Sequence, residues 1–407
     1  MKKTVYEVDA MPRSISPGPA YDLSQLQVQQ ILYRPLLSSN SNSILKNKFH
    51  KTATQWIYET QNQSAEQVNG WLNVLIKTCG QGSPVCGFIK SSHVISPTRI
   101  LIEFDISILN PDDILSSTMF NLSLPCADHP GKFCSCNPTT GYRFSRNASK
   151  NEIIFESDYH AISLFRTEDG QSGADDLRSG KIHVTASTGD TFLYVDKGTA
   201  RRFPIFRKPF NAFFELRLVN QDLIRSSQQI RQLLDPTNFL DVIYKSFQPK
   251  KFGNCDRICV QDLQTPKIQD FSIGYADFWP NKEIASSIAL QLSRKLDVEV
   301  KAIELDYTKY LRTDSNRLDA LLIISVPSWK REESLLVEDS LKDDETLRFL
   351  SESLLSDANR ISTHASKLEE FLCSKGRILL GNFIGNWHQI ENTPSSVNDF
   401  GLHVLHL

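Results

Sequence analysis

Four residues with metal-binding side chains, Cys126, His129, Cys134 and Cys136, fall within the short run CADHPGKFCSC, a grouping that could hold zinc. Structural zinc sites usually leave two or more residues between paired cysteines, and here only Ser135 separates Cys134 from Cys136. The run fits no standard knuckle, so no metal site is predicted and a loop disulfide or free thiols is expected. The nine histidines are scattered without ligand spacing, and the chain has no G-x-S-x-G elbow, no P-loop and no H-E-x-x-H. Adjacent acids at Asp112-Asp113, Asp175-Asp176 and Asp343-Asp344 fall in loops or at helix starts, where solvation and compensation of the helix dipole explain them. Nothing is assembled for covalent, acid–base or metal catalysis. The chain is read as a non-enzyme that needs no cofactor.

Composition bounds what such a chain can be. With 407 residues, 40% hydrophobic and 23% charged, it can bury a large core and is too long for one ordinary domain, so two or three lobes are expected. A net charge of −2 with dispersed basic residues lacks the electrostatic footprint of a nucleic-acid binder. No run approaches the roughly 18–20 apolar residues that span a bilayer. The start, MKKTVYEVDAMPRS, has two lysines with no apolar segment behind them, so no signal peptide is visible in the chain. Eight cysteines, several close in sequence, are the usage common in exported proteins. Cys79–Cys86 and Cys255–Cys259 are close enough along the chain for local disulfides.

The elements follow from periodicity. Thr4 to Val8 reads as a strand, and LSQLQVQQILYRPLLS as a short amphipathic helix with Leu23, Leu26, Ile31 and Leu36 on one face. SAEQVNGWLNVLIKTC is a helix opened by a capping box of Ser64 and Gln67. RILIEFDI is a strand with Ile100, Ile102, Phe104 and Ile106 on one face. Pro138 to Asp158 reads as a β-hairpin, with strands about Tyr142–Phe144 and Glu152–Glu156. LRSGKIHVTAST is read as a strand, and the helix in NQDLIRSSQQIRQLLD is cut short by Asp235-Pro236. KIQDFSIGY, NKEIASSIALQLSRKL and VEVKAIELD form a βαβ unit, the helix carrying Ile284, Ile288 and Leu292 at i, i+4, i+8. RLDALLIISVPSW is a further strand, two acidic amphipathic helices span Asp343–Leu355 and Ser356–Cys373, and GRILLGNFIGNW is the last strand.

In this order, these segments resemble the solute-binding proteins, family 5, of peptide ABC transporters. The hairpin after Pro138 is similar to the family's G-T-G-P-Y, strand, turn, strand, N-P-x-Y passage. Pro12, Ser14, Ile15, Ser16 and Pro17, then Tyr33 to Leu36, match its opening P-x-S-L-D-P and Y-E-G-L, with Ser16 for the usual Asp and Arg34-Pro35 for Glu-Gly. Gly180, Ile182 and His183 match x-x-G-x-I-D. Phe210, Asn220, Arg231, Gln232 and Leu234 match the next passage, and Leu318, Asp319 and Ala320 the y-D-x-x-l strand. Asp297 replaces the family's Gly in the βαβ unit.

The resemblance implies an α/β chain with the periplasmic-binding-protein type II fold, cluster C-like: two main lobes, a smaller extra domain and a ligand cleft between lobes. Lobe I would comprise 1–37, 137–220 and 381–407, lobe II 38–136 and lobe III 221–380. The implied function is the substrate-binding component of a peptide ABC transporter, which captures an oligopeptide-like ligand and delivers it to a membrane permease and its ATPase. A bacterial monomer is expected, periplasmic or anchored on the periplasmic side of the membrane. The alternative is a cytoplasmic ligand sensor or a decayed non-binding paralogue of the same fold. Ligand-binding positions implied by the resemblance are Tyr33, Arg34 and Pro35 on one side, and Ile324, Ser325, Val326, Ser328 and Trp329 on the other. They would hold an extended ligand by main-chain hydrogen bonds, a β-augmentation. Arg34 could add a bidentate fork to a carboxylate or phosphate, and Trp279, Trp329 and Trp387 could line side-chain pockets or belong to the core. Ser328 stands where free-ended peptide binders keep an aspartate for the ligand's amino terminus, which implies a ligand without a free α-amine, or weak binding.

Overall fold

The structure, a computed structural model, describes residues 2–12, 15, 23–37, 43–78, 88–116, 121–122, 140–195, 202–239, 247–249, 268–306, 310, 318–325, 335–340, 343–354, 361–393, 396–397 and 403–404. In chain order, β1 (Lys2–Glu7) and α1 (Leu23–Leu32) lead into a small body of β2 (Leu45–Thr52), β3 (Gln55–Thr60), α2 (Ala65–Thr78), β4 (Ile89–Ser96) and β5 (Arg99–Phe104). Its sheet has the order β2-β3-β5-β4. Ile100, Ile102 and Phe104 alternate inward from β5 to form, with Val68, Trp71 and Leu72 of α2, a core of their own. The expected capping box starts α2: Gln67 N–H donates to Ser64 Oγ at 3.2 Å and Ser64 N–H to Gln67 Oε1 at 3.1 Å.

The chain returns beside its point of departure, Thr140 N–H donating to the carbonyl of Leu32 at 3.3 Å. It then forms β6 (Arg143–Ser149), β7 (Glu152–Glu156) and β8 (His160–Phe165), which complete a sheet of order β1-β8-β7-β6 with β1 and β8 parallel. Next comes α3 (Gly170–Ser179), capped by Asp169 and Ser172 and ended by Gly180 at φ 77°. The strand expected over LRSGKIHVTAST begins inside this helix, which takes its first three residues, Leu177 to Ser179. Asp169 and the left-handed Gly180 provide both caps of a helix, and only the segment about Val184 runs extended, bridged to Tyr6.

The remaining body is built on β9 (Ile205–Leu218), α4 (Ser227–Leu233), β10 (Phe247–Pro249), β11 (Phe271–Ala276), α5 (Asn281–Leu296), β12 (Val300–Leu305), β13 (Ala320–Ser325), α6 (Val337–Ser340), α7 (Asp344–Leu354), α8 (Ile361–Ser374) and β14 (Arg377–His388). The sheet order is β10-β14-β9-β13-β11-β12. The predicted βαβ unit is present, β11 and β12 pairing in parallel across α5. Asp297, at the position the resemblance gives to glycine, closes α5 at φ 54°, a left-handed conformation that Asp tolerates better than most residues. α4 ends at Leu233, just before Asp235-Pro236.

Alternation sends side chains to two layers. Phe214, Leu216, Leu322 and Ile378 point into a core with α5 that continues to Tyr6, Ile162 and Tyr33, so β1 and β14 share one hydrophobic cluster. Phe213 and Leu379 point to the other face, under Leu335, Leu336, Leu368 and Leu372. Helix α1 corrects an expectation. It is not amphipathic but buried on every side, Gln25, Gln27 and Gln29 included. Among the cysteines only Cys373 is described, and it is buried. Cys79, Cys86, Cys126, Cys134, Cys136, Cys255 and Cys259 lie outside the described residues. Among the described residues no group of three His, Cys, Asp or Glu side chains is placed to hold a metal, and no helix is long and apolar enough to cross a membrane.

Candidate ligand-binding site

The chain leaves β11 through α5 on one face of the six-stranded sheet and leaves β13 toward α6–α8 on the other. Such a reversal between neighbouring parallel strands opens a crevice at their carboxyl ends, the usual ligand position in open α/β sheets. The register agrees. β13 pairs with β11 only at Ala320 and Leu321, opposite Ile273 and Gly274, while its whole length from Ala320 to Ser325 pairs antiparallel with β9.

Two hydrogen bonds fix which groups point into the gap. The carbonyl of Asp319 accepts from Val219 N–H at 2.8 Å, so this residue faces the β9 side. The carbonyl of Leu322 accepts from the Tyr310 hydroxyl at 3.1 Å, on the opposite side. With a period of two, the N–H and C=O of Ile324 also point away from β9, where no described strand pairs with them. Among the described residues, Ile324 thus presents a backbone donor and acceptor at an open strand edge. Its side chain packs on the main core, to which the fully buried Tyr33 belongs.

Ser325 sits differently: its backbone faces β9, opposite Phe213, and its hydroxyl donates to Glu215 Oε2 at 2.7 Å. Glu215 is fully buried and clasped by the Arg377 guanidinium through Nε and Nη2, both at 2.8 Å. Arg377 Nη1 reaches the carbonyl of Leu335 at 2.6 Å and Asp339 of α6 at 2.7 Å. Burial alone would raise the Glu215 carboxyl, but the Arg377 charge and hydrogen bonds hold it down at about 2. The floor beneath the strand end is therefore a satisfied ionic network. Sequence reasoning missed it, because Glu215 and Arg377 are 162 positions apart.

The turn between β11 and α5 was also missed. Phe278 is 39% exposed there, Trp279 packs against the core, and Asn281 is buried with its amide donating to the carbonyl of Ala276 at 3.2 Å. Its Oδ1 has no partner. On the other implied side, Tyr33 is fully buried with its hydroxyl unpartnered, and Arg34 and Pro35 are half-buried, pairing with Leu122 and Asn121. The Pro35 carbonyl accepts from Ile44 N–H at 3.3 Å. Val326, Ser328 and Trp329 lie outside the described residues, so the expected second side is described only through Ile324 and Ser325. His183 is structural, its Nδ1 accepting from Val5 N–H at 3.1 Å.

No protein-family model matches the sequence, and no curated protein matches it. The fold is found in solved structures. A dipeptide-binding protein from Pseudoalteromonas sp. SM9913, in complex with Met-Leu, superposes with a TM-score of 0.82 over 99% of this chain and 98% of its own, at 12% identity. The oligopeptide-binding protein AppA from Bacillus subtilis, in complex with a nonapeptide, gives 0.68 over 96% and 94% at 12% identity. The binding protein AgaA from A. tumefaciens R10, in complex with agropinic acid, gives 0.76 over 96% and 93% at 11% identity. The chain has the type II periplasmic-binding-protein fold along its whole length, and the resemblance read from the sequence holds for the fold.

Proposed function

We propose that this chain is the substrate-binding component of an ABC transporter, and that it captures a peptide-like ligand at the open edge of β13 and delivers it to a membrane permease outside the cytoplasm. The observation that carries this reading is the backbone of Ile324, which turns a donor and an acceptor that no described strand pairs toward a crevice where two parallel strands part. An extended peptide satisfies such an edge by adding a strand, whatever its side chains. In this reading Val326, Ser328 and Trp329 also meet the ligand, while Tyr33, Arg34 and Pro35 face it from the opposite side. The Ser325 hydroxyl, held by Glu215, stiffens the strand end instead of meeting the ligand. Neighbours of this fold solved with a dipeptide and a nonapeptide support the ligand class.

Mass spectrometry of material released from the purified protein by mild denaturation identifies the ligand, and calorimetry with that peptide and its N-acetylated form tests the mode of binding. Ser328 offers no carboxylate to a ligand ammonium, so similar affinities are expected. A retained acid would lose a charge-assisted bond worth about 1.5–3 kcal/mol on acetylation, a tenfold or greater loss. That result would overturn the amine-blind mode, and absence of heat with either peptide would overturn the function itself.

A further inference from the structure

Helix α7 is shared between two hydrophobic cores. Leu350 is a fully buried member of the core of the small body, with Leu36, Ile44, Trp71 and Leu115, and Leu347 packs against that same core. Leu347 and Leu350 stand three apart and so lie on one face of the helix. Phe349 turns the other way and stacks on Phe371 of α8, ring centroids 4.3 Å apart with planes 15° from parallel. That pair belongs to the layer over the six-stranded sheet. The start of α7 is tied to the same side, Lys375 Nζ donating to Asp343 at 2.7 Å and to Glu345 at 2.8 Å just before β14 begins.

The chain connects the small body differently. Its described connections run from α1 and return at Thr140, so covalently it belongs with α1 and the four-stranded sheet. The four-stranded and six-stranded parts are in turn joined by the long strands β9 and β14, whose pairing is interrupted: Pro209 faces Ile384, and the next paired residue, Phe213, faces Asn382. An irregularity of this kind is where such a ladder bends. Bending there carries α7 with the six-stranded sheet and leaves the small body with α1.

We propose that α7 is a clasp that holds the molecule closed: rotation about β9 and β14 withdraws Leu347 and Leu350 from the core of the small body, and their return completes it. The clasp has a fixed end, Lys375 and the Phe349–Phe371 stack, and a releasable end, Leu347 and Leu350. Asp339 of α6 binds Arg377 beneath the strand that carries Ile324, so the fixed end is built on the same sheet as the open edge. The inference does not depend on what the protein binds, and its failure leaves the proposed function standing.

Small-angle X-ray scattering of the ligand-free full chain tests it, with circular dichroism establishing that each variant is folded. Leu350→Ala weakens the releasable end and Phe371→Ala the fixed end, and both are expected to shift the radius of gyration upward. Leu292→Ala truncates a fully buried residue of α5 remote from the clasp. It is expected to lower the melting temperature without expansion. Should Leu350→Ala fail to fold, Phe371→Ala carries the test from the other side. A folded clasp variant that stays as compact as the wild type, or equal expansion in Leu292→Ala, would overturn the proposal.

Discussion

Gly385 of β14 lies beneath the ring of Phe210 on β9, so close that a Cβ at position 385 would overlap the ring. Phe210 is buried and stacks on Phe383 with centroids 5.9 Å apart, in the stretch where the β9–β14 register breaks. A strand glycine often marks such a close approach. Gly385→Ala should therefore cost about 1–3 kcal/mol by overpacking. In a Phe210→Ala background the same substitution should cost far less, since the ring that it strikes is gone. Urea unfolding of the four-member cycle checks this, and additive costs would show that the ring is not the cause.

The Glu215–Arg377 pair should be asymmetric to mutation. Arg377→Met leaves a fully buried carboxylate with only the half-exposed Arg217, whose Nε lies 3.0 Å from it, and should cost about 3 kcal/mol, whereas Glu215→Gln combined with Arg377→Met should recover much of the loss. The carboxyl sits low, at about 2, so the pair's contribution is complete above the ordinary value near 4.5 and is lost as pH falls toward 2. Acid unfolding of Arg377→Met should show that component much reduced, Arg217 alone remaining beside the carboxylate.

Glu7 predicts the opposite slope. Its carboxylate accepts from Thr167, Thr191 and the Ala186 N–H, yet burial lifts it to about 7. The folded state favours the protonated acid, so this contribution is full below the ordinary value near 4.5 and is lost as pH rises through 7, a swing on the order of 3 kcal/mol. Glu7→Gln can keep all three contacts, its oxygen taking the Ala186 N–H and its amide donating to the two threonine hydroxyls. The difference in unfolding free energy between wild type and Glu7→Gln should therefore change between pH 5 and pH 8, and a constant difference would refute the assignment.

Neighbouring residues of β13 should respond oppositely to proline. The N–H of Ile323 faces β9 and that of Ile324 faces the gap, as the Asp319 and Leu322 carbonyls establish. Ile323→Pro removes a ladder bond and should destabilise the protein strongly. Ile324→Pro keeps the ladder and loses only the packing of a half-buried side chain, so it should lower the melting temperature far less than Ile323→Pro and abolish binding of the co-purifying peptide. Undiminished binding by a folded Ile324→Pro would remove the strand edge from the site.

Much of the frame is legible without coordinates, because the βαβ unit, the capping box and the proline stop are local patterns. What escaped did so for physical reasons. Strand β2, LKNKFHKT, exposes every residue after Leu45 and has no alternation to read. Helix α1 buries its glutamines, so its polar positions imitate an exposed face. In α3 the two caps carry the helix through Leu177, Arg178 and Ser179, the start of a segment that looks extended. At the candidate site, Ile324 could be nominated through resemblance, but the direction of its N–H is a property of register, and register is set by β9, more than a hundred residues earlier. The orphan Oδ1 of Asn281 has no local signature at all.

The hydrogen bond from Thr140 to Leu32 brings the chain back beside its point of departure, so that the small body, entered after Pro35, is a closed excursion. The polypeptide steps out of the main architecture and steps back in at the same spot. Chain continuity elsewhere asks nothing of that excursion, and closing a shorter loop carries a smaller entropic cost. The small body is in this sense a cassette, free to be enlarged, trimmed or exchanged while β13 and its edge stay where they are. What limits the exchange is α7: any replacement must either offer Leu347 and Leu350 a new apolar seat or arrive together with polar residues at those two positions.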